Sequence, residues 1–183
     1  MFKIKVSDRI IKHCEDQISK YNFGQRHIAN GTPEQQLTGI IGQCVIMELF
    51  GLDLIDGSTG CDNGVDITFK GKSVDVKTMG RTTDVRPYYV NNFLALQIHF
   101  NTDMYIFCSF NKTNNELTVC GWLPKSEFNK KAKYYPQGTY RSRSDGSKFR
   151  TFADLYEIAN SDLHNVNSFD ELTMSIAEHY HIY

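Results

Sequence analysis

The segment 65–77 alternates apolar and polar residues on both sides of a short turn at 70–71, a pattern that predicts a β-hairpin. With this turn, Asp66 lies directly opposite Asp75, and both carboxylates share one face of the hairpin with Lys77. Two carboxylates about 4 Å apart repel each other by about 4 kcal/mol at an effective dielectric constant of about 20. We therefore expect a cation to offset this repulsion.

A divalent cation would meet this need. Mg²⁺ is commonly bound by one or two carboxylates together with waters and phosphate oxygens, so Asp66 and Asp75 are the expected ligands, with Mn²⁺ as a substitute ion. Lys77 would then polarise a scissile phosphate, or orient and help deprotonate the attacking water. The alternative interpretation is that these three residues are ordinary solvent-facing strand residues, since their spacing arises by chance in many proteins.

The spacing Asp-x(8)-Asp-x-Lys on a hairpin resembles the core of the PD-(D/E)XK nuclease superfamily, the fold of many restriction endonucleases, resolvases and phage exonucleases. The resemblance covers roughly residues 37–110. It implies an α/β fold with a central mixed β-sheet flanked by helices, which is a restriction endonuclease-like core. It also implies a Mg²⁺-dependent nuclease that hydrolyses phosphodiester bonds in DNA.

A helix is predicted over 37–51, and Thr32, Pro33 and Glu34 supply a plausible start to the helical region. This helix resembles the first core helix of the same superfamily, whose usual form is Gly-x-x-Gly-Glu. The glycines fall at Gly39 and Gly42, so the position that usually holds Glu holds Gln43. An amide can orient a metal-bound water but brings no negative charge, which predicts weaker metal affinity. Glu48, the nearest carboxylate, lies about 140° around the helix axis from Gln43, so the two cannot face one site. We favour Gln43 and keep Glu48 as an accessory candidate that is otherwise a solvated residue near a helix end.

The regions around the hairpin supply further candidates. The polar segment 78–86 is predicted to be a loop at the rim of the site, where Arg81 and Arg86 can contact a phosphate backbone. Gln97 is a second accessory candidate, because a glutamine after the catalytic lysine often lies near the active centre in nucleases of this kind. The loop 53–64 is dense in turn formers, and its acidic residues lack the spacing of a calcium-binding EF-hand loop. The proline that usually precedes the first Asp in the superfamily is replaced by Val65.

The remaining elements are predicted from local patterns. Residues 104–110 and 117–123 form an antiparallel strand pair, and 88–100 is amphipathic without a clear period. Ser126 is expected to cap a helix that runs to 134 or 135, and 154–159 is expected to be a last strand. Ser168 and Glu171 form a capping box that opens a terminal helix.

Basic residues are concentrated between 125 and 150, although the chain as a whole has a net charge of −1. This segment contains eight Lys and Arg residues against Glu127 and Asp145. Clustered cations next to aromatic residues fit a nucleic-acid backbone, whereas a merely solvated loop is the alternative interpretation. The candidates for DNA contact in this segment are Lys130, Lys131, Lys133, Arg141, Arg143 and Lys148.

Length and composition predict one domain. The 183 residues, 40% of them hydrophobic, can bury one sizeable core, with the nuclease-like part at about 37–125, a basic DNA-facing loop at about 125–150, and a C-terminal strand and helix at 151–183. Five cysteines without Cys-x-x-Cys spacing indicate free thiols in a reducing compartment. Without a signal peptide or an apolar run of membrane-spanning length, the expected location is the cytoplasm of a bacterium or a phage-infected host cell.

Two functional classes follow from these patterns. The first is a Mg²⁺-dependent DNA endonuclease, acting as a homodimer because two strands must be cut; the lean toward Asn, Lys, Ile and Tyr hints at an AT-rich phage genome. The second is a non-catalytic nucleic-acid-binding protein on a nuclease-like fold, which the glutamine at 43 makes credible. The pattern does not separate endonuclease, exonuclease and junction resolvase, nor DNA from RNA.

Overall fold

The structure is a computed structural model, which describes residues 1–24, 31–59, 64–142 and 146–183. The helices are α1 (Asp8–Lys20), α2 (Pro33–Leu49), α3 (Lys125–Lys131) and α4 (Phe169–Tyr180), with 3₁₀ turns at Gly57–Thr59, Ala95–His99 and Asn160–Asp162. The strands are β1 (Phe2–Lys5), β2 (Ile67–Phe69), β3 (Lys72–Arg81), β4 (Val90–Leu94), β5 (Met104–Asn111), β6 (Glu116–Pro124), β7 (Lys133–Tyr135), β8 (Tyr140–Ser142), β9 (Lys148–Arg150) and β10 (Leu155–Ala159).

Five strands form the central sheet, in the order β1-β6-β5-β3-β2. Strands β3 and β5 are parallel and the other neighbours are antiparallel, so the sheet is mixed. A second, three-stranded sheet has the order β4-β10-β7, and β8 pairs with β9. The predicted α/β class, with a central mixed sheet flanked by helices, is confirmed. The predicted hairpin is also confirmed, because Phe69 pairs with Lys72 and Ile67 with Val74.

Two apolar layers cover the central sheet. In β5, Met104 and Ile106 belong to the core cluster that contains α1 and α2, whereas Tyr105 and Phe107 belong to a second cluster with Phe93 of the smaller sheet. Alternate residues of a strand point to opposite faces, so β5 is buried on both sides. The same alternation in β3 sends its even-numbered valines toward the helices and its odd-numbered residues toward the smaller sheet.

Helix α2 begins where Thr32, Pro33 and Glu34 predict the start of the helical region, and it ends at Leu49, two residues before the predicted end at Gly51. Thr32 Oγ1 accepts a hydrogen bond from Gln35 N, and Gln35 Oε1 accepts one from Thr32 N, which completes a capping box. The helix packs against β3 at Gly42, where an added Cβ would lie only 1.9 Å from Thr78 Oγ1. This close approach fixes the distance between the helix and the strand.

Several local predictions need correction. Residues 78–81 continue strand β3 instead of forming a loop, because they pair with β5. Helix α3 ends at Lys131, and residues 133–135 form β7, which pairs with β10 and brings Tyr134 against Tyr156. The basic segment is therefore a helix, a strand and a hairpin instead of one loop. Strand β1 was not predicted, because its partner β6 is distant in sequence. Helix α1 was missed although its signals are local, since Ser7 Oγ accepts a hydrogen bond from Ile10 N at its start.

The C-terminal elements follow their predictions closely. Strand β10 covers most of 154–159, and Ser168 Oγ accepts a hydrogen bond from Glu171 N at the start of α4. The Glu171 carboxylate, however, accepts from Asn167 N, one residue before the N-cap, so the capping box is displaced by one residue. Among the described residues, no helix combines the length and the apolar composition that a membrane span requires.

The contact between Gly42 and Thr78 predicts a difference between two glycines of one helix. Gly42→Ala should lower the free energy of unfolding by about 1–3 kcal/mol, because the new methyl group forces α2 away from β3. Gly39→Ala, whose Cβ would meet nothing within 4 Å, should raise it by up to about 1 kcal/mol through helix propensity. Urea denaturation of both variants measures the two values, and equal effects would contradict the packing described for Gly42.

Candidate functional site

The predicted catalytic residues converge on one cavity of about 650 Å³. Gln43, Asp66, Asp75, Lys77 and Gln97 all line it. The cavity lies where β3 extends beyond its short partner β2, between helix α2 on one side and the smaller sheet with the Ala95–His99 turn on the other. Residues separated by more than fifty positions in the sequence thus share one concave surface, which is the usual form of a ligand site.

Asp66 lies just outside β2 and extends the hairpin by one residue. Its backbone N donates to Val74 O at 2.9 Å, and its carboxylate Oδ2 accepts from Val76 N at 2.6 Å. The carboxylate therefore takes the place of a strand carbonyl where β2 has ended, and it satisfies a backbone donor that would otherwise be buried without a partner. These two bonds bracket Asp75 and hold Asp66 beside it.

Asp75 is buried, with 2% of its surface exposed, and its closest cation is Lys77. Lys77 Nζ lies 2.7 Å from Asp75 Oδ2, and the lysine side chain is only 15% exposed. The same ammonium lies 5.2 Å from the centroid of the Phe93 ring, so an aromatic face covers it. Burial raises the pKa of the Tyr105 hydroxyl, and the nearby Asp75 carboxylate raises it further.

These contacts change the electrostatic argument for a metal ion. Asp66 accepts a backbone N–H and Asp75 pairs with Lys77, so the chain itself offsets much of the repulsion between the carboxylates. No group of three or more Asp, Glu, His or Cys side chains that could hold a metal occurs in the described ranges. Two carboxylates with an amide nearby still fit the coordination of Mg²⁺, which takes one or two protein carboxylates and completes its shell with water and phosphate oxygens.

Two buried oxygen atoms at the cavity have no hydrogen-bond partner in the part of the chain that the structure describes. They are Thr78 Oγ1 and Asn92 Oδ1. Buried polar atoms are nearly always hydrogen-bonded, so orphaned ones mark a position for water or a ligand. Neither residue was predicted: Thr78 adjoins Lys77 in sequence, but nothing in the sequence around Asn92 indicates that β4 reaches the site.

A second charged pair lies at the cavity wall. Lys112 Nζ and Glu34 Oε1 are 2.6 Å apart, and both residues line the cavity. The lysine lowers the pKa of the exposed Glu34 carboxyl through this hydrogen bond. Lys112 comes from the turn after β5, so only the parallel pairing of β5 with β3 brings it here.

The structure places the other predicted residues elsewhere. Glu48 is exposed and forms an ion pair with Arg9 on α1, so it does not line the cavity. Arg81 is partly buried; its Nη2 donates to Val90 O at 2.8 Å, its guanidinium lies over the Tyr89 ring, and burial lowers its pKa. Arg86 is exposed, and neither arginine lines the cavity.

The predicted DNA-contacting cations fall into two groups. Lys131 is paired with Glu127, and Arg141 is paired with the buried Glu157 while lying over the Tyr135 ring. The Arg141 pair joins β8 to β10 of the smaller sheet, whereas the Lys131 pair lies within α3 and is partly exposed. The exposed group, which has no ion pair to any described residue, consists of Lys130, Lys133 and Lys148. Arg143 lies outside the described residues.

Comparisons of this chain with protein-family profiles, curated proteins and solved structures give no match.

The buried ion pair predicts a non-additive pair of substitutions. Lys77→Met should lower the free energy of unfolding by about 3–5 kcal/mol, because it leaves the Asp75 carboxylate buried without its cation. Adding Asp75→Asn should restore most of that loss, since the uncompensated charge is removed. The control is Lys72→Met on the same strand, where Nζ lies 3.8 Å from Asp103 in a half-exposed pair; its cost should stay below about 1 kcal/mol. Additive effects in a denaturation series would contradict the ion pair.

Proposed function

We propose that this protein is a Mg²⁺-dependent nuclease of the PD-(D/E)XK type that hydrolyses phosphodiester bonds in DNA. The observation that carries the proposal is the meeting of Asp66, Asp75, Lys77 and Gln43 at one cavity. A solvent-facing strand would leave these side chains in water. Instead, Asp75 and Lys77 are buried against each other, and removing their charges from water costs free energy. Buried titratable groups of this kind cluster at functional sites.

Asp66 and Asp75 are the residues that would hold the ion, because their carboxylates are hard oxygen donors beside Lys77, whereas the Glu34 carboxylate at the cavity wall is paired with Lys112. When bound, Mg²⁺ supplies charge stabilisation at the phosphate and makes a water molecule more acidic. The backbone bonds of Asp66 keep its carboxylate beside Asp75 without help from the ion. The ligands are thus positioned in advance.

We assign to Lys77 the role of stabilising the negative charge that develops on the phosphate during hydrolysis. Its ammonium keeps three N–H donors, and the contact with Asp75 leaves some of them for a phosphate oxygen or an attacking water. The Phe93 ring and the Asp75 carboxylate confine the ammonium, so little reorganisation is needed when substrate arrives. Gln43 lines the same cavity from α2 and can orient the water through its amide.

One observation favours the non-catalytic alternative. The carboxylates of Asp66 and Asp75 already have partners within the chain, and Gln43 occupies the position where the superfamily usually has a third carboxylate. The site therefore does not need an ion to offset the repulsion between its acidic residues. A protein that binds nucleic acid and does not cut it would need no more than this.

Cleavage of DNA separates the two functions. We expect the protein to nick or linearise plasmid, or to degrade single-stranded DNA, with Mg²⁺ or Mn²⁺ and not with EDTA. The double variant Asp75→Asn/Lys77→Met should lose at least about a hundredfold in rate, because both the ligand and the cation at the phosphate are gone. The rate is measured on labelled DNA under single-turnover conditions.

The control for this experiment makes the same chemical changes away from the cavity. Asp84→Asn/Lys72→Met removes one exposed carboxylate and one lysine of β3 and should retain the full rate. Circular dichroism establishes that both double variants are folded. Binding without cleavage under every metal condition would support the non-catalytic function and overturn the nuclease.

The exposed lysines predict how binding depends on salt. Replacing Lys130, Lys133 and Lys148 by Gln should weaken DNA binding and reduce the slope of log affinity against log salt concentration by up to about three. The matched control replaces three lysines on other elements, Lys12, Lys20 and Lys70, with the same change in net charge. Equal effects of the two triple variants, measured by fluorescence anisotropy, would mean that overall charge and not this segment attracts DNA.

A further inference from the structure

Phe152 is a large apolar side chain that lines the cavity and is nevertheless 64% exposed. It lies between β9 and β10, far along the sequence from Asp66, Asp75 and Lys77. Among the other aromatic side chains at the cavity, Phe93 is buried and Tyr21, Phe23 and Phe100 are half-buried. An exposed ring in the wall of a concave site offers a free face for another planar group.

The backbone holds this ring in a fixed place. Phe152 O accepts a hydrogen bond from Gln137 Nε2 at 2.9 Å, and the preceding Thr151 is buried, with its Oγ1 donating to Pro136 O at 2.7 Å. On the other side, the Asp154 carboxylate accepts from Gln137 N and from the Tyr134 hydroxyl. Hydrogen bonds at 151, 152 and 154 therefore fix the backbone that carries the exposed Phe152 ring.

The rest of the cavity combines aromatic surface with amides. Further aromatic rings come from Tyr21, Phe23 and Phe100, and side-chain amides come from Gln43, Asn92 and Gln97. An apolar wall with a few hydrogen-bonding groups suits a flat ligand that has polar edges, and a volume of about 650 Å³ holds one or two nucleotides. A nucleobase has this shape and chemistry.

A base within a double helix cannot use these groups, because its faces are stacked on neighbours and its edge is paired. Only an unpaired base can place its face on an aromatic ring and its edge against amides. Outside the cavity, Arg150 adjoins the buried Thr151 and lies over the Tyr140 ring at 5.0 Å, which adds a cation and an aromatic ring next to Phe152. A nucleic-acid strand that leaves the cavity on this side would contact Arg150 and Tyr140.

We propose that the cavity binds an unpaired nucleobase stacked on Phe152, so that the substrate is single-stranded or locally unpaired nucleic acid. This inference rests on the proposed function, because the same cavity contains Asp75 and Lys77, where the neighbouring phosphate is hydrolysed. The base in the pocket fixes which phosphate reaches those residues. An uninterrupted duplex is a poor substrate for this site.

The experiment measures binding in EDTA, where cleavage cannot interfere. Wild-type protein should bind a fluorescent oligothymidine at least about tenfold more tightly than a duplex of the same length. Phe152→Ala should weaken oligothymidine binding by about tenfold, a typical loss for one stacked base, while Phe152→Trp restores it. The control is Tyr88→Ala, since Tyr88 is also 64% exposed and does not line the cavity.

Two further ligands test stacking directly. An oligonucleotide with a run of abasic sites keeps the phosphates and lacks the bases, so it should bind wild type as weakly as oligothymidine binds Phe152→Ala. An oligouridine of equal length distinguishes DNA from RNA as the source of the base. Duplex binding as tight as single-strand binding, or equal losses in Phe152→Ala and Tyr88→Ala, would overturn the inference.

The outcomes keep the two proposals apart. Cleavage that prefers duplex and is unaffected by Phe152→Ala would refute base stacking and leave the nuclease standing. Stacked binding of single strands without metal-dependent cleavage would refute the nuclease and support an unpaired base in the cavity of a binding protein.

Discussion

The buried ion pair between Asp75 and Lys77 is the interaction on which the rest of the site depends. Strand β3 is covered by α2 on one face and by the smaller sheet on the other, so Asp75 is buried and the Lys77 side chain is only 15% exposed. A carboxylate in this position needs a partner, and the residue two positions along the strand is the nearest one on the same face. The stability of the sheet and the chemistry of the cavity are thus linked through one contact.

The shortness of β2 creates the space in which that pair can act. Because β2 pairs only with the first part of β3, the remaining edge of β3 is left for side chains instead of another strand. Asp66 fills the first free position by accepting from Val76 N, and α2 approaches the next part of the edge at Gly42. A longer β2 would satisfy the same backbone groups and close the cavity. The open edge is therefore a structural requirement of the site.

Local signals in the sequence were sufficient to predict some parts of this arrangement and gave no indication of others. The hairpin register and the α2 cap depend on neighbouring residues, and they were predicted correctly. The second wall of the cavity could not be predicted, because Asn92 and Phe152 reach it only through the pairing of β4 with β10 across more than sixty residues. Charge counting within 125–150 also could not include the ion pair of Arg141, because its partner Glu157 lies outside that segment, on β10.

Gln43 has a consequence for charge that follows from these contacts. Asp66, Asp75 and Lys77 together carry one net negative charge, so a divalent cation would leave the site with one positive charge in a buried position. A phosphate group then restores neutrality, whereas a glutamate at 43 would have restored it without substrate. Under the proposed function, the glutamine couples ion binding to nucleic-acid binding, because only the complete set of ion, phosphate and side chains is electrically balanced. Weak affinity for the ion alone is thus compatible with full occupancy during the reaction.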